Sequence, residues 1–70
     1  MTEIINEHFK IDDYELHVTG AWNDVEVWLN TPVADFDGIC IGGGESHRAA
    51  VADAIETMER ALGILKEQMR

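Results

Sequence analysis

Apolar and polar residues alternate along the middle of the chain. Every second position is apolar in two runs, which comprise Tyr14, Leu16 and Val18 and then Val25, Val27 and Leu29. A period of two is typical of strands with one buried face. Between the runs, residues 20–24 read Gly-Ala-Trp-Asn-Asp, a loop of hairpin length that contains turn-forming residues. The pattern therefore predicts two antiparallel strands joined by a hairpin loop.

Two further segments extend the predicted sheet. After the turn-like residues 31–35, Thr-Pro-Val-Ala-Asp, we predict a third strand at residues 38–41. The first ten residues are ambiguous, because Ile4, Ile5 and Phe9 fit either a helical turn or an added edge strand. The alternation of Phe9 with Ile11 favours the strand. The result is a meander of three or four strands.

The C-terminal third of the chain has the 3-4 spacing of an amphipathic helix. Its apolar positions are Val51, Ala54, Ile55, Met58, Leu62, Leu65 and Met69. Ser46 is the expected N-cap after the glycine run at 42–44, which we interpret as a flexible strand-to-helix turn. Glu56 and Arg60 have the favourable i, i+4 spacing on the opposite face. Gly63 lies within the helix, where it either allows close approach to another element or is merely tolerated.

These elements predict a single α+β domain over residues 1–70. We expect an antiparallel three- to four-stranded meander with one long C-terminal amphipathic helix packed on one face. The other face then carries Glu15, His17, Thr19, Glu26, Trp28, Asn30 and Cys40. Trp28 is a large aromatic residue among polar ones, as at the centres of many interfaces. Alternatively, the N-terminal segment covers Trp28, or the strand register is shifted by one residue.

The charge of the chain is unevenly distributed. The formal net charge is −9 at pH 7. Residues 1–45 contain ten carboxylates against one base, Lys10, whereas residues 46–70 contain four acidic and four basic side chains. The negative electrostatic field of these carboxylates repels nucleic acid and anionic membranes and steers the protein toward basic surfaces. The same acidity is also a common route to solubility alone.

Composition narrows the possibilities further. Cys40 is the one cysteine, so the chain has no internal disulfide, and its strand-like flanks Ile39 and Ile41 suit a reducing cytosol. The N-terminus has neither a basic region nor a long apolar run, so we expect a cytoplasmic protein without a signal peptide or membrane span. A core of one helix on one small sheet is marginally stable, and dimerisation or a bound partner would stabilise it.

No arrangement of reactive side chains predicts catalysis or cofactor binding. The three histidines and Cys40 lack the short spacing of a zinc site. Residues 35–38, Asp-Phe-Asp-Gly, resemble part of a calcium loop but lack its other ligands. The glycine run lacks a P-loop lysine, and Ser46 and His47 are adjacent, with Ser46 expected as a cap instead of a nucleophile. We therefore expect a binding protein, not an enzyme, with no metal and no cofactor.

The stretch from Pro32 to Leu62 resembles the HicB-type antitoxin domain. The corresponding pieces are Pro32, the turn at 35–38, the strand Ile39-Cys40-Ile41, the turn Gly44-Glu45-Ser46, and the pair Ala49-Ala50 that opens the helix. Asp37 stands where that family usually has proline, and the Glu-Ala pair that normally opens the helix is absent. The resemblance implies an antitoxin or regulatory protein that neutralises a basic partner such as a ribonuclease toxin.

In size, charge asymmetry and overall plan, the chain also resembles the small acidic phage proteins that include many anti-CRISPR inhibitors. This resemblance implies a DNA mimic, monomeric or homodimeric, that acts in the host cytoplasm. It would block a basic nucleic-acid-binding host-defence complex without binding nucleic acid itself, because strand-borne carboxylates can occupy sites built for phosphates. The residues predicted to bind the partner are Asp12, Asp13, Glu15, Trp22, Asp24, Glu26, Trp28, Asp35 and Asp37. A further hypothesis is a small homo-oligomeric accessory protein whose open sheet face pairs with itself.

Overall fold

The structure, a computed structural model, describes residues 4–31 and 38–69 as four strands followed by one helix. The elements are β1 (Ile4–Ile11), β2 (Tyr14–Ala21), β3 (Asp24–Asn30), β4 (Ile39–Gly44) and α1 (His47–Glu67). Neighbouring strands are antiparallel, and their order in the sheet is β1-β2-β3-β4. The predicted α+β meander with a C-terminal helix is confirmed. The ambiguous N-terminal residues form the edge strand β1, as the alternation favoured.

The first two hairpins of the meander close through two-residue turns. Asp12 and Asp13 connect β1 to β2, and Trp22 and Asn23 connect β2 to β3. The first residue of each turn has a positive φ, 55° at Asp12 and 36° at Trp22, a conformation that matches the twist of the flanking strands. The second turn is shorter than the predicted loop at 20–24, because the residues on either side of it pair with each other.

Alternate residues of β2 and β3 face α1, as predicted. The buried core consists of Val18, Val25, Val27, Ile41, Ala50 and Ala54, and Leu16 and Leu29 pack beside it. Tyr14 shares this side of the sheet but remains 46% exposed. The reason is the position of the helix, which packs mainly on β4 and to a smaller extent on β3.

Strand β4 continues through the glycine run, so the prediction of a flexible turn at 42–44 was wrong. A Cβ on Gly42 would lie 2.5 Å from the amide nitrogen of Ala54, and one on Gly44 would lie 2.8 Å from the Cβ of Ala49. These distances leave no room for side chains. The two glycines therefore let α1 pack directly against the backbone of β4.

Helix α1 begins as the sequence predicts, but only its first half is packed. The Ser46 hydroxyl oxygen accepts a hydrogen bond from the Ala49 amide at 3.1 Å, which confirms the N-cap. Glu56 and Arg60 form the expected ion pair. A Cβ on Gly63 would meet no atom within 4 Å, so this glycine serves no close contact within the chain. Every residue from Met58 to Met69 is exposed.

None of the described residues belongs to a helix with the length and hydropathy that a membrane span requires.

Candidate partner-binding face and apolar groove

The side of the sheet that faces away from α1 is here called the outer face. Its centre is a row of four residues, one from each strand: His8, His17, Trp28 and Cys40. The rings of His8 and His17 stack, with centroids 4.1 Å apart and planes inclined by 15°. Trp28 is half-buried within the row, and the thiol-bearing Cys40 is exposed. Trp28 and Cys40 therefore lie on the side of the sheet on which the alternation predicts them.

Carboxylates flank this central row on both sides. Glu15 lies on one side and Glu26 on the other, and Asp24 lies at the next outward position beyond Glu26. One oxygen of Glu15 is 2.9 Å from Nδ1 of His8. The indole nitrogen of Trp28 donates a hydrogen bond of 3.4 Å to Glu26. Both glutamates are thus held beside aromatic rings of the row.

The environment of Glu15 favours its charged form. The hydrogen bond with His8 is the main cause that lowers the pKa of the Glu15 carboxyl below its ordinary value of 4.5. Coulombic attraction to His8, a hydrogen bond with Asn30 and the charge of Lys10 lower it further, while desolvation acts in the opposite direction. Glu15 therefore remains ionised to a lower pH than an isolated glutamate.

Three other residues predicted to bind a partner lie at the ends of the sheet. Asp12 and Asp13 form the β1–β2 turn, and Trp22 lies in the β2–β3 turn at the opposite end. An eight-residue strand separates these turns by roughly 26 Å. Trp22 is 73% exposed. One ligand pocket therefore cannot contain both ends, whereas an extended partner surface can contact both.

Asp35 and Asp37 lie outside the described residues. Of the nine residues predicted to bind a partner, the structure brings together Glu15, Glu26 and Trp28, with Asp24 beside them. These four lie on the outer face of β2 and β3, and the two turns extend that face at its ends.

Strand β1 contributes outer-face residues that the sequence analysis missed, namely Asn6, His8 and Lys10. Asn6 Oδ1 lies 2.7 Å from Nε2 of His17, so β1 is tied to the face by side chains as well as by backbone. These residues were missed because residues 1–10 also fit a helical turn. The sequence signal that could have revealed them is a hairpin centred on residues 12–13. His8 and His17 are equally distant from that turn along the chain, so a hairpin there places them opposite each other.

An apolar groove lies on the helix side of the sheet, between α1 and the first two strands. We call it the β1–α1 groove, and its volume is about 630 Å³. Its floor is formed by Phe9, Ile11, Leu16 and Val18, and its wall by Val51, Ile55, Met58 and Leu62. At one end, Nε2 of His47 lies 2.8 Å from a carboxylate oxygen of Glu7 and joins the start of α1 to β1.

The groove was also missed by the sequence analysis, which assigned the whole apolar stripe of α1 to contact with the sheet. Met58 is 45% exposed and Leu62 is 51% exposed. The pattern of apolar positions predicts which side of the helix faces the core, but it contains no information on how many strands the helix covers.

The two residues considered for a nucleophilic triad have structural partners: Ser46 caps α1 and His47 pairs with Glu7. Within residues 4–31 and 38–69, no group of three or more histidine, cysteine, aspartate or glutamate side chains is placed to hold a metal ion.

Comparisons with protein-family models, with curated proteins and with solved structures give no match for this chain.

Proposed function

We propose that this chain is a non-enzymatic binding protein whose acidic outer face blocks a basic nucleic-acid-binding protein or complex, in the manner of anti-CRISPR inhibitors. One observation supports this proposal best. Glu15 and Glu26 flank the half-buried Trp28 on a side of the sheet that α1 leaves open. An aromatic residue bordered by carboxylates suits a partner surface rich in lysine and arginine.

The balance of charge on this face favours a basic partner. The outer face and its two turns carry the carboxylates of Asp12, Asp13, Glu15, Asp24 and Glu26. Lys10 is the one lysine or arginine in residues 1–45. Because phosphate contacts dominate the affinity of proteins for nucleic acid, carboxylates that take the place of phosphates compete directly with the nucleic acid.

Trp28 is the proposed apolar anchor of the interface. Its ring lies between His17 and Cys40 in the central row, and its indole nitrogen is engaged by Glu26. A ring held in one position loses little conformational entropy when a partner covers it. We therefore expect Trp28 to contribute affinity, and the surrounding carboxylates to contribute association rate and selectivity.

The test combines partner capture with charge reversal. The tagged chain is used to capture proteins from its native host, the bound proteins are eluted with a salt gradient, and mass spectrometry identifies them. The captured partner is then purified, and its affinity is measured for the wild-type chain and for the double variant Glu15→Lys/Glu26→Lys. The control is Asp53→Lys/Glu56→Lys, which changes the net charge equally on an exposed part of the helix that does not line the β1–α1 groove.

The proposal predicts that the outer-face double variant loses binding and inhibition, while the helix double variant retains both. Binding of the wild-type chain should weaken steeply between about 50 mM and about 300 mM salt, because the screening length shortens. Equal losses in the two double variants, or an affinity that does not depend on salt, would rule out the acidic face as the binding site.

A second candidate function, an antitoxin-like or regulatory partner of the HicB type, is favoured by a different feature. Strand β1 forms one edge of the sheet, and an edge strand can accept an added strand from a partner. Such binding depends on backbone pairing and apolar contact more than on charge. Trp28→Ala would then reduce binding more than Glu15→Lys/Glu26→Lys, the reverse of the order expected for an electrostatic interface.

A further inference from the structure

We infer that the β1–α1 groove is a homodimer interface, in which a second copy of this chain places the C-terminal half of its helix. The groove lies on the helix side of the sheet, and the outer face lies on the other side. The inference therefore does not rest on the proposed function, and both surfaces can be occupied at the same time.

The first argument is that the isolated chain leaves much of its apolar side uncovered. Among residues 4–31 and 38–69, six residues form the buried core, and five of these are valine or alanine. Phe9 on the groove floor is 51% exposed, and Leu62 on the groove wall is exposed to the same extent. Contiguous apolar surface of this kind is uncommon on a monomer and marks an interaction site.

The second argument is the surface area of the chain. Its accessible surface is 5655 Å², whereas a compact monomer of 7.8 kDa has about 4,400 Å². The radius of gyration, 13.5 Å, also exceeds the value of about 11 Å for a compact domain of this length. The chain therefore has roughly 1,300 Å² more accessible surface than a compact monomer of the same mass, and the uncovered groove and the exposed half of α1 contribute to this excess.

The third argument is that the same chain supplies an occupant of suitable size. Helix α1 has 21 residues and is about 32 Å long, whereas β4 has six residues and is about 20 Å long. The helix therefore extends beyond the strand on which it packs. The exposed part from Met58 to Glu67 is about 14 Å long. The groove wall from Val51 to Leu62 measures about 17 Å along the helix axis.

In this exposed half, Met58, Leu62 and Leu65 continue the apolar stripe of α1, and Met69 follows just after the end of the helix. A two-fold axis near Met58 would place the exposed half of each helix in the groove of the other chain, so that both sets of apolar side chains are buried together. Such an interface is isologous, which means that both chains contribute the same surface patch.

The charges are compatible with this arrangement. Residues 46–70 are electrically balanced, and the acidic outer faces of the two copies point away from each other. The two helices would pair antiparallel. The last turn of the second helix carries Lys66, and it would approach the end of the groove at which His47 contacts Glu7. Glu7 lies at that end, so opposite charges meet there.

Sedimentation equilibrium tests the inference with two matched variants. Leu62→Glu places a charge in the groove, and Ala52→Glu places the same charge on an exposed part of the helix that does not line the groove. We expect the wild-type chain and Ala52→Glu to be dimers at micromolar concentration, and Leu62→Glu to associate at least about tenfold more weakly. A wild-type monomer up to about 100 µM, or a Leu62→Glu dimer of unchanged affinity, would overturn the inference.

Disulfide trapping identifies the interface without relying on Leu62→Glu to fold. In a Cys40→Ser background, chains with Phe9→Cys are mixed with chains with Leu65→Cys under mild oxidation. A disulfide between the two kinds of chain is expected, because the partner helix passes over the groove floor. In the control, chains with Phe9→Cys are mixed with chains with Ala52→Cys, and no disulfide between the two kinds of chain is expected. If both pairs are trapped equally, or neither is, the helix does not occupy the groove.

Discussion

Gly42 lies directly against Ala54: a Cβ added to Gly42 would be 2.5 Å from the amide nitrogen of Ala54 and 2.8 Å from its Cβ. The opposing atoms belong to the helix backbone and to a methyl group, neither of which can move aside as the tip of a long side chain can. The contact therefore sets the distance between α1 and β4. The next residue, Gly43, differs, because its added Cβ would approach only the Val25 carbonyl oxygen, at 3.4 Å.

This difference gives the first prediction. Gly42→Ala should lower the free energy of unfolding by about 1–3 kcal/mol, because the helix must move away from the sheet. Gly43→Ala should leave it unchanged or raise it by up to about 1 kcal/mol, because alanine reduces the entropy of the unfolded chain. Urea unfolding at one fixed protein concentration measures both. Equal effects of the two substitutions would show that the Gly42–Ala54 contact does not limit packing.

The N-cap of α1 gives the second prediction. Ser46→Ala removes the acceptor for the Ala49 amide and should cost about 1 kcal/mol of stability. Ser46→Asp restores an acceptor and places a negative charge at the helix N-terminus, so it should retain the wild-type stability or exceed it. The midpoints of urea-induced unfolding of the wild-type chain and the two variants test this prediction. A loss in Ser46→Asp as large as that in Ser46→Ala would contradict the capping role.

The His8–Glu15 pair gives a prediction about pH. The pKa of Glu15 is lower in the folded protein than its ordinary value of 4.5. The stabilisation from this shift is therefore fully present above pH 4.5 and is lost as pH falls through the folded-state pKa. His8→Ala removes the main cause, so the pKa of Glu15 should rise toward its ordinary value. Carboxyl-carbon NMR titration measures this change directly.

The control for the pH prediction is Asn6→Ala. Asn6 pairs with His17 on the same face but does not contribute to the pKa shift of Glu15. The titration of Glu15 should therefore be unchanged in this variant. In addition, the difference in unfolding free energy between the wild-type chain and His8→Ala should shrink as pH is lowered from 6 to about 3. A difference that stays constant would exclude Glu15 as its source.

Trp22 gives a prediction that separates stability from function. It occupies the first position of a two-residue turn with φ 36°, a conformation in which asparagine is less strained than tryptophan. Trp22→Asn should therefore stabilise the fold by up to about 1 kcal/mol. If Trp22 contacts the partner, the same change should weaken binding. Asp12→Asn is the control, because aspartate already tolerates this conformation and little stabilisation is expected.

Much of the fold was predictable because it depends on local periodicity. The alternation around Val18 and Val27 identifies the strands and their buried side, and the acceptor at Ser46 marks the start of α1. The glycine run was misinterpreted for a physical reason. Glycine occurs both where a chain must bend and where two backbones must approach each other, and only the position of Ala54 in three dimensions separates these possibilities.

The candidate site was predictable only in part. Trp28, Glu15 and Glu26 follow from the alternation in β2 and β3, whereas the contribution of β1 depended on recognising the turn at 12–13. The groove depends on where α1 lies across the sheet. That position is set by the close packing of Gly42 and Gly44 against the helix, and no periodicity in the sequence encodes it.

The order of the strands in the sheet is the same as their order in the chain, and this has a consequence for how the protein folds. The β1–β2 and β2–β3 hairpins each close over two residues, and α1 docks on the strand that immediately precedes it. Little loop entropy is lost before native contacts form, and a topology of this kind is typical of rapid folding. If the chain dimerises through the β1–α1 groove, the slow step would then be the association of two largely folded chains, so its rate should rise with protein concentration.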